Sequence, residues 1–338
     1  MDHSAVNTNN SRKRLFFFLR ILMLTASVLI LLKIVDLNLV IANIKNIPWY
    51  VVAALILIGI FRAWLSGLRW QLLNPDVSGQ ISNWQYFRLM MMAKPFNLIM
   101  PGALGGDFVR TAMTVNAVKN KKIDNVIAII ADRFVGLLSI LILGTIAFLF
   151  AAEIPDRSTF FMILAFIYLA AGATVFIMTN SKIITLLRKI ACRWGTVGLM
   201  IDNIIQTWQN AMLFFKANKK NVIYGLLLCL PIHIISFFTA YLLAQSLAID
   251  VSFLNISLII ALVWIVTAIP ITISGAGVRE LSMIYLFSLY GVDAEPATAL
   301  SIYLYIISLL LGLIGFLFIV DWGKWFSSIK LKLEGRQG

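Results

Sequence analysis

Charged residues are scarce in this chain: they make up 13% of its 338 positions, where soluble domains carry roughly a quarter. With 61% hydrophobic residues, that deficit excludes an ordinary soluble domain and points to an integral membrane protein. Cysteine is nearly absent. Cys192 and Cys229 lie far apart, with neither a C-x-x-C nor a metal-type spacing, so neither redox chemistry nor a zinc site is expected. There is no G-x-x-x-x-G-K-[ST] loop, no H-E-x-x-H and no G-x-S-x-G elbow. The string Gly275-Ala-Gly277 lacks the rest of a dinucleotide fingerprint, so no cofactor and no metal are expected. The short alternating strands of an outer-membrane barrel are missing too. Although the formal charge is +13, no basic stripe with interleaved aromatics exists for nucleic acid.

Long apolar runs are what the chain has. At about 1.5 Å per residue, roughly 20 residues cross the hydrocarbon core. Full spans are predicted at about 15–35, 48–72, 123–150, 159–179, 221–247 and 296–321. Arg12, Lys13 and Arg14 precede the first run as in a signal peptide, but no small-x-small cleavage site follows, so it reads as an uncleaved first helix. Seventeen Lys or Arg fall in segments that would be cytoplasmic with both termini inside, against three (Lys33, Lys45 and Arg157) outside or at the outer boundary. The positive-inside rule therefore places both termini in the cytoplasm.

Two remaining apolar segments, 83–118 and 253–290, carry one pattern twice: Pro101-Gly-Ala-Leu-Gly-Gly106-Asp-Phe-Val109-Arg110 and Pro270-Ile-Thr-Ile-Ser-Gly275-Ala-Gly-Val278-Arg279-Glu280. With six full spans, each must enter and leave on one side, the first from the cytoplasm and the second from outside. Such backbone survives at membrane depth only inside protein or around a wet cavity. The two prolines are 169 residues apart, and the same shift carries spans 48–72 and 123–150 onto 221–247 and 296–321. The predicted fold is all-α and polytopic, six spans plus two re-entrant helical hairpins arranged as inverted repeats of about 15–155 and 156–321. Residues 1–14 and 322–338 read as cytoplasmic tails, and 180–220, basic and amphipathic, as interfacial helices on the anionic inner leaflet.

Ionisable residues within spans are the candidates for function, because each costs about 2.5–3.5 kcal/mol at a helix centre on insertion scales. Arg110 and Arg279 are the first choices for phosphate, each beside a helix start whose free N–H groups attract anions. Their guanidinium groups are expected to share one wet chamber. Asp107, Asp132, Arg133 and Glu280 would balance charge, while Asp107 is also a good N-cap. Adjacent on a helix, Asp132 and Arg133 point about 100° apart and must find partners elsewhere. Those partners make either a salt bridge that locks the bundle or a balance for Arg110 or Arg279. Pro101, Gly105, Gly106, Pro270, Gly275 and Gly277 break the helices and shape the pocket, or merely allow close packing. Arg62 and Arg69 either snorkel or, for Arg69 with Trp70, face the cavity. His233, near Pro231, is either packed or a proton relay, and Met90, Met91 and Met92 are core or lipid-facing filler.

Taken together, Pro101, Gly105-Gly106-Asp107, Arg110, Asp132-Arg133, Gly136, Pro270, Gly275, Gly277 and Arg279-Glu280 resemble the membrane domain of lysylphosphatidylglycerol synthase, or multiple peptide resistance factor, from about 15 to 321. The resemblance implies a polytopic protein of the bacterial inner membrane that moves lipids with modified head groups between leaflets, or assists lipid-linked sugar pathways. Full-length synthases carry a soluble aminoacyl transferase domain after the membrane domain. Here only 322–338 follow the last expected span, so lysine transfer is not expected. The resulting expectation is translocation of an aminoacylated or glycan-modified phospholipid, or of a polyprenyl-phosphate carrier. Membrane lipids are the partners, with a lipid-modifying enzyme or glycosyltransferase, or a homo-oligomer, also compatible. The rival is an intramembrane transferase with Asp132 or Glu280 as general base; a scaffold for a glycosyltransferase is a third reading.

Overall fold

Apolar runs punctuated by Pro and Gly fold as helices and their connections. The computed structural model describes residues 33–45, 47–75, 81–99, 104–117, 122–151, 153–191, 196–268 and 275–319. Among them the regular structure is α-helical: α1 (Leu37–Lys45), α2 (Trp49–Leu72), α3 (Asn83–Ile99), α4 (Leu104–Ala117), α5 (Lys122–Phe150), α6 (Arg157–Thr179), α7 (Ser181–Ala191), α8 (Thr196–Ala217), α9 (Lys219–Ser246), α10 (Phe253–Ala268), α11 (Val278–Ser288) and α12 (Ala294–Leu317).

Five helices among the described residues are long and apolar enough to cross a membrane: α2, α5 from Ile127, α6, α9 and α12. The sixth expected span, 15–35, lies outside the described residues except at 33–35, as do Arg12, Lys13, Arg14, Pro101, Cys192, Pro270 and the tail 322–338. Both motif segments are interrupted helices. In the first, α3 packs on α4; in the second, α10 packs on α11.

Order and packing recur at the 169-residue offset. Shifted by that amount, α2 falls on α9, α3 on α10, α4 on the start of α11 and α5 on α12. The packing is crossed: α3 lies against α12, the last helix of the second set, and α10 lies against α5, the last helix of the first. Small residues permit both seams. A Cβ on Gly315 of α12 would intrude on the Met91 carbonyl of α3, and one on Gly144 of α5 would meet Ala261 Cβ of α10 at 3.0 Å. Pro95 within α3 lacks the N–H that would reach back four residues to Met91, so that carbonyl is open to the close approach of Gly315.

Depth of burial follows helix length. At 16 residues α10 is too short to span, and every side chain from Asn255 to Val263 is buried among α5, α9 and α11. At the periphery α6 exposes Phe161, Phe166, Leu169 and Phe176, the surface a lipid-facing helix presents. Its N-cap is Asp156, whose carboxylate accepts from Thr159 N–H at 3.3 Å. Helices α7 and α8 form a pair joined by Arg188–Asp202 at 2.8 Å, and α8 packs on α5.

Candidate functional site

Charged side chains inside an apolar bundle gather where helices can share them, and here four helices do. Arg62, Ser66 and Arg69 stand at i, i+4 and i+7 on one face of α2; Met90, Ala93, Lys94 and Asn97 repeat the same periodicity on α3. Asp107 and Arg110 come from α4, Asp132, Arg133 and Gly136 from α5. With Ile232, His233 and Ser236 of α9, Trp264 and Thr267 of α10, and Gly275, they line a cavity of ≈ 510 Å³.

An ion-pair network forms one wall. Arg69 Nε lies 2.7 Å from Asp132 Oδ1, and Arg110 Nη1 lies 3.2 Å from Asp132 Oδ2. Arg110 Nη2 also pairs with Asp107, whose other oxygen is 2.6 Å from Arg133 Nη2. Asp132 and Arg133 thus point to different partners. Asp132 is 4% exposed, while Arg133, at 42%, reaches the open side. Arg110 is fixed further by the Trp70 ring, 4.6 Å from its guanidinium carbon, and Arg69 Nη1 lies 3.0 Å from Cys229 Sγ.

Two cations stand apart from this network. Among the described residues Arg62 donates to Ser236 Oγ at 2.6 Å and meets no carboxylate, and Lys94 has neither an ion pair nor a hydrogen bond. Both nitrogens of His233 are buried, and its ring lies 5.8 Å from that of Trp264. The lining therefore carries five cationic side chains against two carboxylates, a formal excess of three. An unoffset cation is costly where water is scarce, so this wall favours an anion.

The second motif is built differently. Arg279 Nη2 lies 2.5 Å from Glu280 Oε1 and its Nε donates to Ser301 Oγ at 2.8 Å. Glu280 Oε2 accepts from Gly277 N–H at 2.6 Å, capping α11. Among the described residues lining that cavity Arg110 is present while Arg279 and Glu280 are not; Glu280 holds Arg279 in a local pair. Two of the motif glycines have their N–H groups occupied. Gly106 N–H donates to Asn97 Oδ1 at 2.8 Å, as Gly277 N–H does to Glu280. Asp107 sits in the first turn of α4, its carboxylate on two guanidinium groups rather than on a cap. Gly275 and Gly277 have φ of +74° and +82°, which only glycine adopts readily; Gly105 and Gly106 are buried within α4.

Sequence reasoning passed over Lys94, Asn97, Ser66 and Ser236 and offered only snorkelling for Arg62, which lines the cavity. The i, i+4, i+7 polar line on α2 was the available signal. Of the three methionines, Met91 and Met92 are core, and Met90 lines the cavity with Sδ 3.6 Å from Arg110 Nη1.

The sequence profile described as "Lysylphosphatidylglycerol synthase TM region" matches residues 17–315. A UPF0104 membrane protein of Methanothermobacter thermautotrophicus (strain Delta H) is 24% identical over 276 residues, covering 76% of this chain and 80% of the relative. No solved structure matches the chain. A match running through all the helices that build the cavity settles kinship: this chain belongs to the family of the lysylphosphatidylglycerol synthase TM region.

Proposed function

We propose that the protein translocates an anionic or head-group-modified lipid between the leaflets of the bacterial inner membrane. Head groups pass through the cavity of α2, α3, α4, α5, α9 and α10 while acyl chains stay in the hydrocarbon. The observation that carries this reading is the cation excess on the cavity wall, set among helices apolar enough to span. Arg69 and Arg110 line the route and can exchange Asp132 for a phosphate, a bidentate acceptor of similar geometry. Arg279, paired with Glu280 outside the cavity, steadies the start of α11. The repeated helix order and crossed packing suit an inverted-repeat transporter whose interrupted pairs α3–α4 and α10–α11 dip in from opposite faces, with both termini cytoplasmic and α7–α8 on the inner leaflet. A lipid-modifying enzyme would supply the substrate.

An intramembrane transferase would need a free base. Asp132 meets two guanidinium groups, and Glu280 is held by Arg279, Ser301 Oγ and Gly277 N–H, which favours translocation over that rival. The test is leaflet exchange of head-group-labelled lipids in proteoliposomes. Arg110→Ala is expected to slow exchange about tenfold or more, as loss of a charge-assisted contact does, with Arg279→Ala less affected. Unchanged exchange in a folded Arg110→Ala protein, or a substrate whose mass changes on incubation, would overturn the reading.

A further inference from the structure

Resting on the translocation reading, we infer that the cavity selects a head group bearing at least two negative charges on phosphate, a phosphomonoester or diphosphate lipid rather than an aminoacylated one, and that Arg62 and Lys94 are the residues that bind it.

The charges of the cavity divide into two sets. Arg69, Arg110 and Arg133 share Asp107 and Asp132 and leave one positive charge over. Arg62 and Lys94 add two more that no carboxylate among the described residues offsets. They face the same space from different helices, α2 and α3, with Asn97 a turn beyond Lys94 and His233 and Ser236 on α9 beside them. A phosphodiester brings a single negative charge; an aminoacyl group on it cancels that charge, and a lysyl group, with two ammonium groups, reverses it and would add cation to a wall already cationic. A phosphomonoester brings about −1.5 to −2 at neutral pH, and a diphosphate brings more. The monoester comes close to offsetting Arg62 and Lys94, and the diphosphate reaches the surplus on the network as well. The volume, ≈ 510 Å³, lies within the range of sites for drug-sized ligands and leaves room for a sugar on the phosphate. The two donors are complementary: Arg62 offers a planar fork and Lys94 a compact charge on a flexible stem, a pairing that can follow a phosphate as it moves.

An unpaired cation destabilises the empty protein and binds its ligand, so removing it should raise stability and lower affinity together. A residue that merely packs would lower both or neither. The experiment uses the full chain in nanodiscs, with thermal unfolding for stability and native mass spectrometry or thermophoresis for binding. The probes are farnesyl diphosphate, a phosphatidic acid, lysyl-phosphatidylglycerol and inorganic pyrophosphate. The diphosphate and monoester lipids are expected to bind at least about tenfold tighter than the lysylated one. Lys94→Gln and Arg62→Gln are each expected to weaken diphosphate binding about tenfold. Lys94→Gln should unfold at an equal or higher temperature than wild type, and Lys94→Arg should keep affinity.

Equal or tighter binding of the lysylated lipid overturns the inference, as does wild-type affinity in folded Lys94→Gln and Arg62→Gln proteins. Inorganic pyrophosphate binding as tightly as the lipid assigns the site to a soluble anion and overturns the lipid half. Exchange measured on the same samples separates this inference from the reading beneath it. Lysylated lipid exchanged with no diphosphate binding sinks the inference alone. Diphosphate lipid bound at Arg62 and Lys94 but never exchanged supports the binding site and sinks translocation.

Discussion

The half from α2 to α5 and the half from α9 to α12 have the same helix order, and in each the motif arginine reaches a residue 22 positions further along. Arg110 meets Asp132; Arg279 meets Ser301. A carboxylate in the first half thus stands where the second has a hydroxyl, and Asp107 and Glu280 stand opposite Ala276 and Thr111. The other cavity charges follow suit: at the 169-residue offset Arg62, Arg69, Lys94 and Arg133 stand opposite Pro231, Phe238, Val263 and Ile302. The first half supplies the chemistry, and the second supplies α9 and α10 as the facing wall. A repeated fold need not carry a repeated site.

The largest expected effect comes from removing the carboxylate that stands opposite Ser301. Asp132→Ala leaves Arg69 and Arg110 short of a buried partner and should cost about 3–5 kcal/mol, read as a fall in Tm in detergent. Ser301→Ala, its counterpart, should cost about 1 kcal/mol; equal losses would break the contrast. Next are the crossed seams. Gly315→Ala drives a methyl into the Met91 carbonyl and should cost about 1–3 kcal/mol, whereas Gly144→Ala meets only the Ala261 methyl at 3.0 Å and should cost less. If Gly144→Ala is the more damaging in thermal unfolding, the seam of α5 with α10 is the tighter of the two and the contrast reverses.

Smaller effects sharpen the comparison at the motif glycines. Gly277→Ala imposes a side chain at φ +82° and should cost about 1–2 kcal/mol. Gly106→Ala would place its Cβ 2.5 Å from Asn97 Oδ1, so that flexible side chain must turn away and its hydrogen bond is lost, about 0.5–1.5 kcal/mol. Conformational strain in one half and a displaced neighbour in the other are distinguished by adding Asn97→Ala, which should abolish further loss at Gly106 and leave that at Gly277 unchanged.

Much of the helix order was legible from hydropathy and from the repeated pattern, because apolar length and Pro-Gly punctuation are local properties. α3 and α10 each end two residues before the motif proline, Pro101 or Pro270. Partner choice was less legible. Arg110 and Arg279 look equivalent in sequence, and only packing reveals that Asp132 reaches one while Glu280 retains the other. Lys94 escaped notice for a related reason: it sits beside Pro95 in a run of Met and Phe, and its significance is the absence of a nearby carboxylate on three other helices.

The crossed seams bear on biosynthesis. Helix α3 leaves the ribosome about two hundred residues before α12, the helix whose glycines it must meet. At ~5–20 residues per second that interval is roughly ten to forty seconds. Throughout it the nascent chain holds a proline-containing helix whose open carbonyl awaits Gly315 of α12. Insertion machinery, rather than lipid, must shelter that segment until the last span arrives.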